Sequence, residues 1–148
     1  MEHQTLEQIA EVARLTPLDR RGARALRRQR LERLATLLDQ HKGSMRLFSL
    51  IEYATEEERQ MLRDDESPLA IAFRDPEFRR QGLNSDRLGD ATTFFDLSQE
   101  EAHRLFCECG YFYPITPEKV ARRARSFARK MTFAEIWDKV RSMILGKA

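Results

Sequence analysis

The segment FFDLSQEEAHRLFCECGYFY, residues 94–113, concentrates the most distinctive side chains of the chain. It holds six of the thirteen aromatic residues, both cysteines and one of the three histidines. Ser98 and Glu101 have the spacing of a capping box, which is typical of a helix N-terminus, so a helix is predicted over 99–109. An aromatic connector, Tyr111–Tyr113, follows that helix.

Similar start and stop signals recur along the chain. In four places a capping-type residue directly precedes a proline, an arrangement that satisfies an orphan amide without costing a hydrogen bond: Thr16, Ser67, Asp75 and Thr116. Four glycines each follow a helical segment, where a left-handed residue is expected: Gly43, Gly82, Gly110 and Gly146. The sequence has no Asn-Gly or Asp-Gly hairpin signal. An all-α fold is therefore predicted.

The predicted architecture is a single compact, irregular multi-helix domain over residues 1–148, with several short helices and a candidate hinge near 66–68. Helices are predicted near 5–15, 17–42, 45–54, 56–65, 68–74, 76–81, 86–95, 99–109, 117–131 and 133–145. The longest apolar run, 69–73, is far too short to span a membrane, and the N-terminal residues lack a signal-peptide pattern. A cytoplasmic location and reduced cysteines are expected.

Charge is abundant and is arranged in blocks. Charged residues make up 34% of the chain, against about 25% in ordinary domains, yet the net charge is only +2. Bases dominate 20–28 and 119–130, whereas acids dominate 52–66 and 86–108. A chain that coats nucleic acid through its overall charge is excluded, and any electrostatic attraction must come from local patches. The acidic and basic blocks could also pair with each other, within one fold or between two copies of it.

The long helix 17–42 contains a change of face. At about 100° per residue, Leu18, Ala25 and Leu26 lie on one side, whereas Leu31, Leu34 and Leu38 lie on another. The arginines of 20–28 occupy the line that the second set of leucines continues. Either the helix breaks near Gln29, or its first half leaves the core and presents a basic face outward.

The helix 117–131 shows the clearest separation of apolar and basic residues. Its apolar residues fall within about a third of the helical wheel: Val120, Ala121, Ala124, Phe127, Ala128 and Met131. Bases fill most of the remainder. The candidate partner-binding residues of the two basic blocks are Arg20, Arg24, Arg27, Arg28, Lys119, Arg122, Arg123, Arg125, Arg129 and Lys130.

His103, Cys107 and Cys109 are the candidates for metal or thiol chemistry. His103 and Cys107 are four residues apart and share one face of a helix, but a structural zinc site needs four ligands and the sequence offers at most three. A cysteine at a helix C-terminus faces the negative end of the helix dipole, which opposes a thiolate. Core packing is therefore the better interpretation, and no metal or other cofactor is expected.

Three functional hypotheses remain open. The first is a non-catalytic binding or regulatory protein whose basic faces engage an acidic protein partner or a second copy of the chain. The second is a nucleic-acid-binding regulator that uses the same arginines against phosphates. The third is a small metal- or thiol-dependent enzyme centred on His103 and Cys107, for which the sequence shows no convergent catalytic groups. A membrane interaction is not expected, and Trp137 in the final helix is predicted to lie in the core or in an interface.

Overall fold

The computed structural model describes residues 17–43, 45–47, 55–57, 66–131 and 133–146, with the backbone alone for 17–21 and 133–135. We number the helices in chain order: α1 is Pro17–Gln40, α2 Pro68–Arg74, α3 Pro76–Arg80, α4 Leu88–Phe94, α5 Gln99–Phe106, α6 Pro117–Arg129 and α7 Phe133–Leu145. A 3₁₀ turn, Glu108–Gly110, follows α5. This part of the chain contains seven α-helices and no β-strand, which confirms the all-α prediction. None of these helices has the length and apolar content that crossing a membrane requires.

Local capping explains where four of the helices begin. The Ser67 and Thr116 hydroxyls accept from the amides of Ala70 and Lys119, and a proline occupies the first turn in both cases. Ser98 and Glu101 form the predicted capping box in both directions. Asp75 ends α2 and begins α3, because its amide donates to a carbonyl of α2 while its carboxylate accepts from the first turn of α3.

Some of the predicted elements lie outside the described residues. These are the helix at 5–15, most of the helices at 45–54 and 56–65, and one partner of each of the capping boxes at Thr55 and Thr132. Residues 56 and 57 are described and are helical, as predicted. The prediction of a helix from residue 45 is wrong for 45–47, which have no helical backbone although Leu47 is buried. Leu47 is thus buried because it packs in the hydrophobic core from a non-helical segment.

The core forms where α1 packs along α6. Leu31, Leu34 and Leu38 of α1 are fully buried, as are Val120 and Ala124 of α6. The small alanines of α6 let the two helix axes approach closely, and this is the largest helix–helix contact in the described residues. The predicted apolar face of α6 is confirmed, except that Met131 lies beyond the helix end and is 38% exposed.

Four phenylalanines complete the core between the short helices. Phe94 and Phe95 meet Phe78 edge to face, with ring centroids 5.4 Å apart in both pairs. Phe95 also lies 6.1 Å from Phe106, which joins α5 to the cluster. Such edge-to-face pairs add to the stabilisation that burial alone supplies. The segment 94–113 therefore helps to build the core, as its aromatic content predicts.

The alternatives for the long N-terminal helix are resolved in favour of a continuous helix. α1 runs without a break through Gln29, and Ala25 and Leu26 in its first half are exposed. Its arginine line does not simply face outward, however. Arg27 continues the buried leucine line, and its side chain is only 16% exposed.

Gly110 is required by close approach and not by a left-handed backbone. Gly43 and Gly82 have positive φ angles of 138° and 110°, as predicted, but Gly110 and Gly146 do not, so the prediction is wrong for these two. A Cβ atom on Gly110 would lie 2.5 Å from the Arg104 carbonyl oxygen and 2.9 Å from a guanidinium nitrogen of Arg123. Only glycine fits where the Arg104 backbone and the Arg123 guanidinium approach residue 110 this closely.

Gly110→Ala should therefore lower the free energy of unfolding by about 1–3 kcal/mol, because backbone must shift to accept the methyl group. Gly22→Ala is the matched control, since Gly22 lies within α1 and a Cβ there meets nothing within 4 Å. The control should stabilise the protein by about 0.5–1 kcal/mol through helix propensity. Urea denaturation followed by circular dichroism measures both. Equal effects of the two substitutions would contradict the crowding at Gly110.

Candidate functional site: a basic and aromatic cleft beside α6

Two of the four predicted binding arginines of α1, Arg27 and Arg28, donate hydrogen bonds within the chain. Arg27 donates from Nε to the Asp96 carbonyl at 3.0 Å, from one terminal nitrogen to the Phe127 carbonyl at 3.1 Å, and from the other to Glu101 at 2.6 Å. Arg28 donates from Nε to the Ala128 carbonyl at 3.1 Å. Arg24 is half-buried, and the side chain of Arg20 lies outside the described part of the chain.

These carbonyl acceptors share one property, which is their position at or just beyond the C-terminal end of a helix. The last carbonyls of a helix lack intrahelical partners and carry the negative end of the dipole. Arg27 and Arg28 reach the end of α6 in this way, and Arg30 reaches the Phe94 carbonyl at the end of α4 at 2.6 Å. Arg27, Arg28 and Arg30 therefore fasten other helices to α1, which is a structural role.

Two bases of α6 are also anchored, and they shape one wall of a cleft. Lys119 donates from Nζ to the carbonyls of Phe112 and Pro114, at 3.2 and 2.6 Å. Arg123 donates to the Arg104 carbonyl at 2.7 Å and to the Gly110 carbonyl, and its guanidinium lies 4.1 Å from the centre of the Tyr111 ring. These bonds hold the aromatic connector against α6.

The cleft between α6 and this connector has a volume of about 400 Å³. We call it the α6 cleft, and its lining comprises four bases, three aromatic residues and one serine, with no acid: Arg104, Tyr111, Phe112, Lys119, Arg122, Arg123, Ser126 and Phe127. Arg122 is exposed, and Phe112 is 93% exposed. Arg104 is exposed and lies over the Phe127 ring at 5.8 Å. The cleft therefore presents guanidinium groups beside an uncovered aromatic ring.

A second cleft, of about 330 Å³, lies beside the end of α6 and differs in charge. Its bases include Arg24, Arg28 and Lys130, but Asp96 and Glu101 share its lining. Because Glu101 is already paired with Arg27 at 2.6 Å, much of the local charge is balanced. An anionic ligand would meet a more favourable surface in the α6 cleft.

The remaining predicted bases divide between pairing and exposure. Arg125 forms ion pairs with Asp39 and, at 3.7 Å, with Glu32, so it pairs with α1 and not with a predicted acidic block. The Asp39 carboxylate raises the pKa of Arg125 by hydrogen bonding. Arg129 and Lys130 are exposed at the end of α6. Neither residue lines the α6 cleft, and Lys130 lines the second cleft.

The cysteine–histidine candidates do not converge. Cys107 is buried at the end of α5, as the core-packing interpretation predicts, whereas Cys109 and His103 are exposed. Burial, together with neighbouring Cys109, raises the pKa of Cys107 to about 11. Within the described residues, no three His, Cys, Asp or Glu side chains are grouped closely enough to hold a metal ion.

The two thiols should consequently differ in reactivity. At neutral pH, iodoacetamide should alkylate Cys109 in the native protein at least about a hundredfold faster than Cys107, because burial both shields Cys107 and keeps it protonated. Peptide mass spectrometry after timed quenching measures the two rates, and alkylation in denaturant gives the reference. Comparable native rates would contradict the buried position of Cys107.

Five of the eight residues that line the α6 cleft are missing from the sequence-based binding set, among them the exposed residues Arg104 and Phe112. Arg104 belongs to a block dominated by acids, and Phe112 belongs to the aromatic connector, for which the sequence predicts no binding role. The available signal was that α5 ends close to an aromatic run, which places a basic last turn beside exposed rings. No protein-family model, curated protein or solved structure matches the chain.

Proposed function

We propose that this protein is a non-catalytic binding protein whose α6 cleft engages an acidic surface of a protein partner. The observation that carries the proposal is the lining of the cleft, which combines four bases with exposed aromatic surface and contains no acid. Arginine and aromatic residues are enriched in the energetically dominant parts of protein interfaces. Complementary charge also favours encounter with an acidic partner and discriminates against basic ones.

The cleft residues have separate roles in this proposal. Lys119 and Arg123 donate hydrogen bonds to backbone carbonyls and so fix the shape of the cleft. Arg122 has no ion pair with the described residues and is exposed, so its guanidinium fork can bind a partner carboxylate with two parallel hydrogen bonds. Phe112, 93% exposed, supplies the apolar contact next to it.

Arg122→Glu is the variant that tests this role. It should weaken binding of a fluorescein-labelled peptide with alternating glutamate and aromatic residues by at least about tenfold. The substitution removes the guanidinium that binds the peptide carboxylates and introduces a negative charge that repels them. Arg87→Glu is the matched control, since it makes the same charge change at an exposed base outside the cleft. Fluorescence anisotropy measures both affinities. Equal weakening by the two variants would show that only net charge matters.

Single-stranded nucleic acid is the second candidate, and exposed Phe112 is the observation that favours it. Bases stack on exposed aromatic rings while neighbouring cations bind the phosphates. A single-stranded oligonucleotide in the same anisotropy assay distinguishes the two. Tighter binding of the oligonucleotide than of the acidic peptide, with affinity falling steeply as salt rises and lost in Phe112→Ala, would establish this candidate instead.

A further inference from the structure

The final helix carries an exposed apolar stripe. Five residues of α7 with described side chains fall within about 120° of the helical wheel at about 100° per residue, and we call them the α7 stripe: Ile136, Trp137, Val140, Met143 and Ile144. Ile136, Trp137, Met143 and Ile144 are 47%, 57%, 56% and 70% exposed, and Val140 at the centre is half-buried. Exposed apolar patches of this kind mark interaction surfaces. Trp137 is therefore not a core residue, so the prediction of a core position is wrong and the prediction of an interface position stays a prediction.

Basic residues border the stripe on both sides. Lys139 lies at one margin and Arg141 at the other, whereas Asp138 lies on the opposite side of the helix. All three side chains are exposed, and neither Lys139 nor Arg141 forms an ion pair with any residue that the structure describes. No described side chain therefore neutralises Lys139 or Arg141.

These margins disfavour a second copy of α7 as the partner. In an antiparallel pair of identical helices each margin meets its own counterpart, and in a parallel pair the two margins meet each other. Both geometries set margins of like charge against each other, since each margin carries one base. Like charges in such positions are destabilising and act against the pairing.

A membrane surface is also a poorer match. Helices that lie on anionic membranes carry an excess of Lys and Arg on the polar face. In α7 the sequence has two acids, Glu135 and Asp138, against the two bases Lys139 and Arg141, so the helix carries no net charge. The bases are positioned at the stripe margins and do not form a polybasic face.

We infer that the α7 stripe docks an amphipathic helix of a partner protein whose own apolar stripe is bordered by acidic residues. Apolar contact would cover Trp137 and its neighbours, while carboxylates of the partner meet Lys139 and Arg141. The inference goes beyond the proposed function and does not rest on it, because the stripe shares no residue with the α6 cleft.

Two synthetic helical peptides with the same leucine stripe test this inference, one bordered by glutamate and the other by lysine. The full chain should bind the glutamate-bordered peptide at least about tenfold more tightly, with a blue shift of Trp137 emission. Lys139→Glu combined with Arg141→Glu should reverse the preference. Ile144→Ser should weaken binding, whereas Leu145→Ser should not, because Leu145 is 69% exposed but lies outside the stripe.

Several outcomes would overturn the inference. Equal affinity for the two peptides would contradict the charge complementarity. If neither peptide bound, the α7 stripe would not be a docking surface for a helix. Dimerisation in sedimentation experiments that Ile144→Ser abolishes would establish self-association instead. Binding to phosphatidylserine vesicles that Ile144→Ser abolishes would establish a membrane surface. Arg122→Glu, measured with the same peptides, should bind as wild type does, which separates this surface from the α6 cleft.

Discussion

Arg27→Met should lower the free energy of unfolding by about 3 kcal/mol. Arg27 supplies donors to the Asp96 and Phe127 carbonyls and to the Glu101 carboxylate, and so joins α1 to α5 and to the end of α6. Methionine keeps the apolar stem but leaves Glu101, whose side chain is 17% exposed, without its guanidinium partner.

Arg28→Met is the comparison for this prediction. Arg28 is exposed and donates one hydrogen bond, to the Ala128 carbonyl, so its loss should cost about 1 kcal/mol. Urea denaturation monitored by circular dichroism gives both values. If Arg27→Met were no more destabilising than Arg28→Met, the fastening role of Arg27 would be wrong, and Arg27 would return to the set of candidate binding residues.

Asp75→Ala should destabilise the protein by about 3 kcal/mol at neutral pH. The Asp75 carboxylate accepts from Arg33 Nε and a terminal nitrogen of Arg33 at 2.7 and 2.8 Å, and it caps α3 by accepting from the Phe78 amide at 3.3 Å. The side chain is only 4% exposed. Asp75→Asn should cost less, because asparagine can still cap the helix but cannot form the charged pair.

The same site predicts a pH dependence. Hydrogen bonds from Arg33 hold the pKa of Asp75 below its ordinary value. Because the pKa is lower in the folded chain than in the unfolded chain, the stabilisation is complete above about pH 4 and is lost as pH falls through the folded-state pKa. The difference in unfolding free energy between wild type and Asp75→Asn should therefore shrink below about pH 4. A difference that stays constant down to pH 2 would contradict the charged pair.

Local signals in the sequence predict where helices begin. Ser67, Asp75 and Thr116 each accept from the amide three residues further along the chain, so the capping signal lies within one short segment of sequence. Helix ends are less predictable. The sequence predicts that α5 reaches residue 109, but the helix ends at Phe106 because Cys107 adopts an extended backbone. The 3₁₀ turn that follows places the Gly110 carbonyl where it accepts a hydrogen bond from Arg123.

The hydrogen bonds between residues far apart in the sequence could not be predicted for a different reason. Arg27 and Phe127 are 100 residues apart, and the acceptor is a backbone carbonyl, which leaves no trace in the side-chain sequence. The pairing of Arg33 with Asp75 spans 42 residues and is equally invisible to local patterns. The basic composition of α6 predicted a binding surface, but only the fold shows that Arg104 and Phe112 lie beside Arg122.

The most direct test of the proposed function uses tagged wild type, Arg122→Glu and Arg87→Glu as baits in native lysate treated with nuclease. We predict that wild type and Arg87→Glu retain the same acidic protein after nuclease treatment, and that Arg122→Glu loses it. Loss of every co-purifying protein from wild type under nuclease, or equal retention by Arg122→Glu, would contradict the α6 cleft as the binding site for an acidic protein.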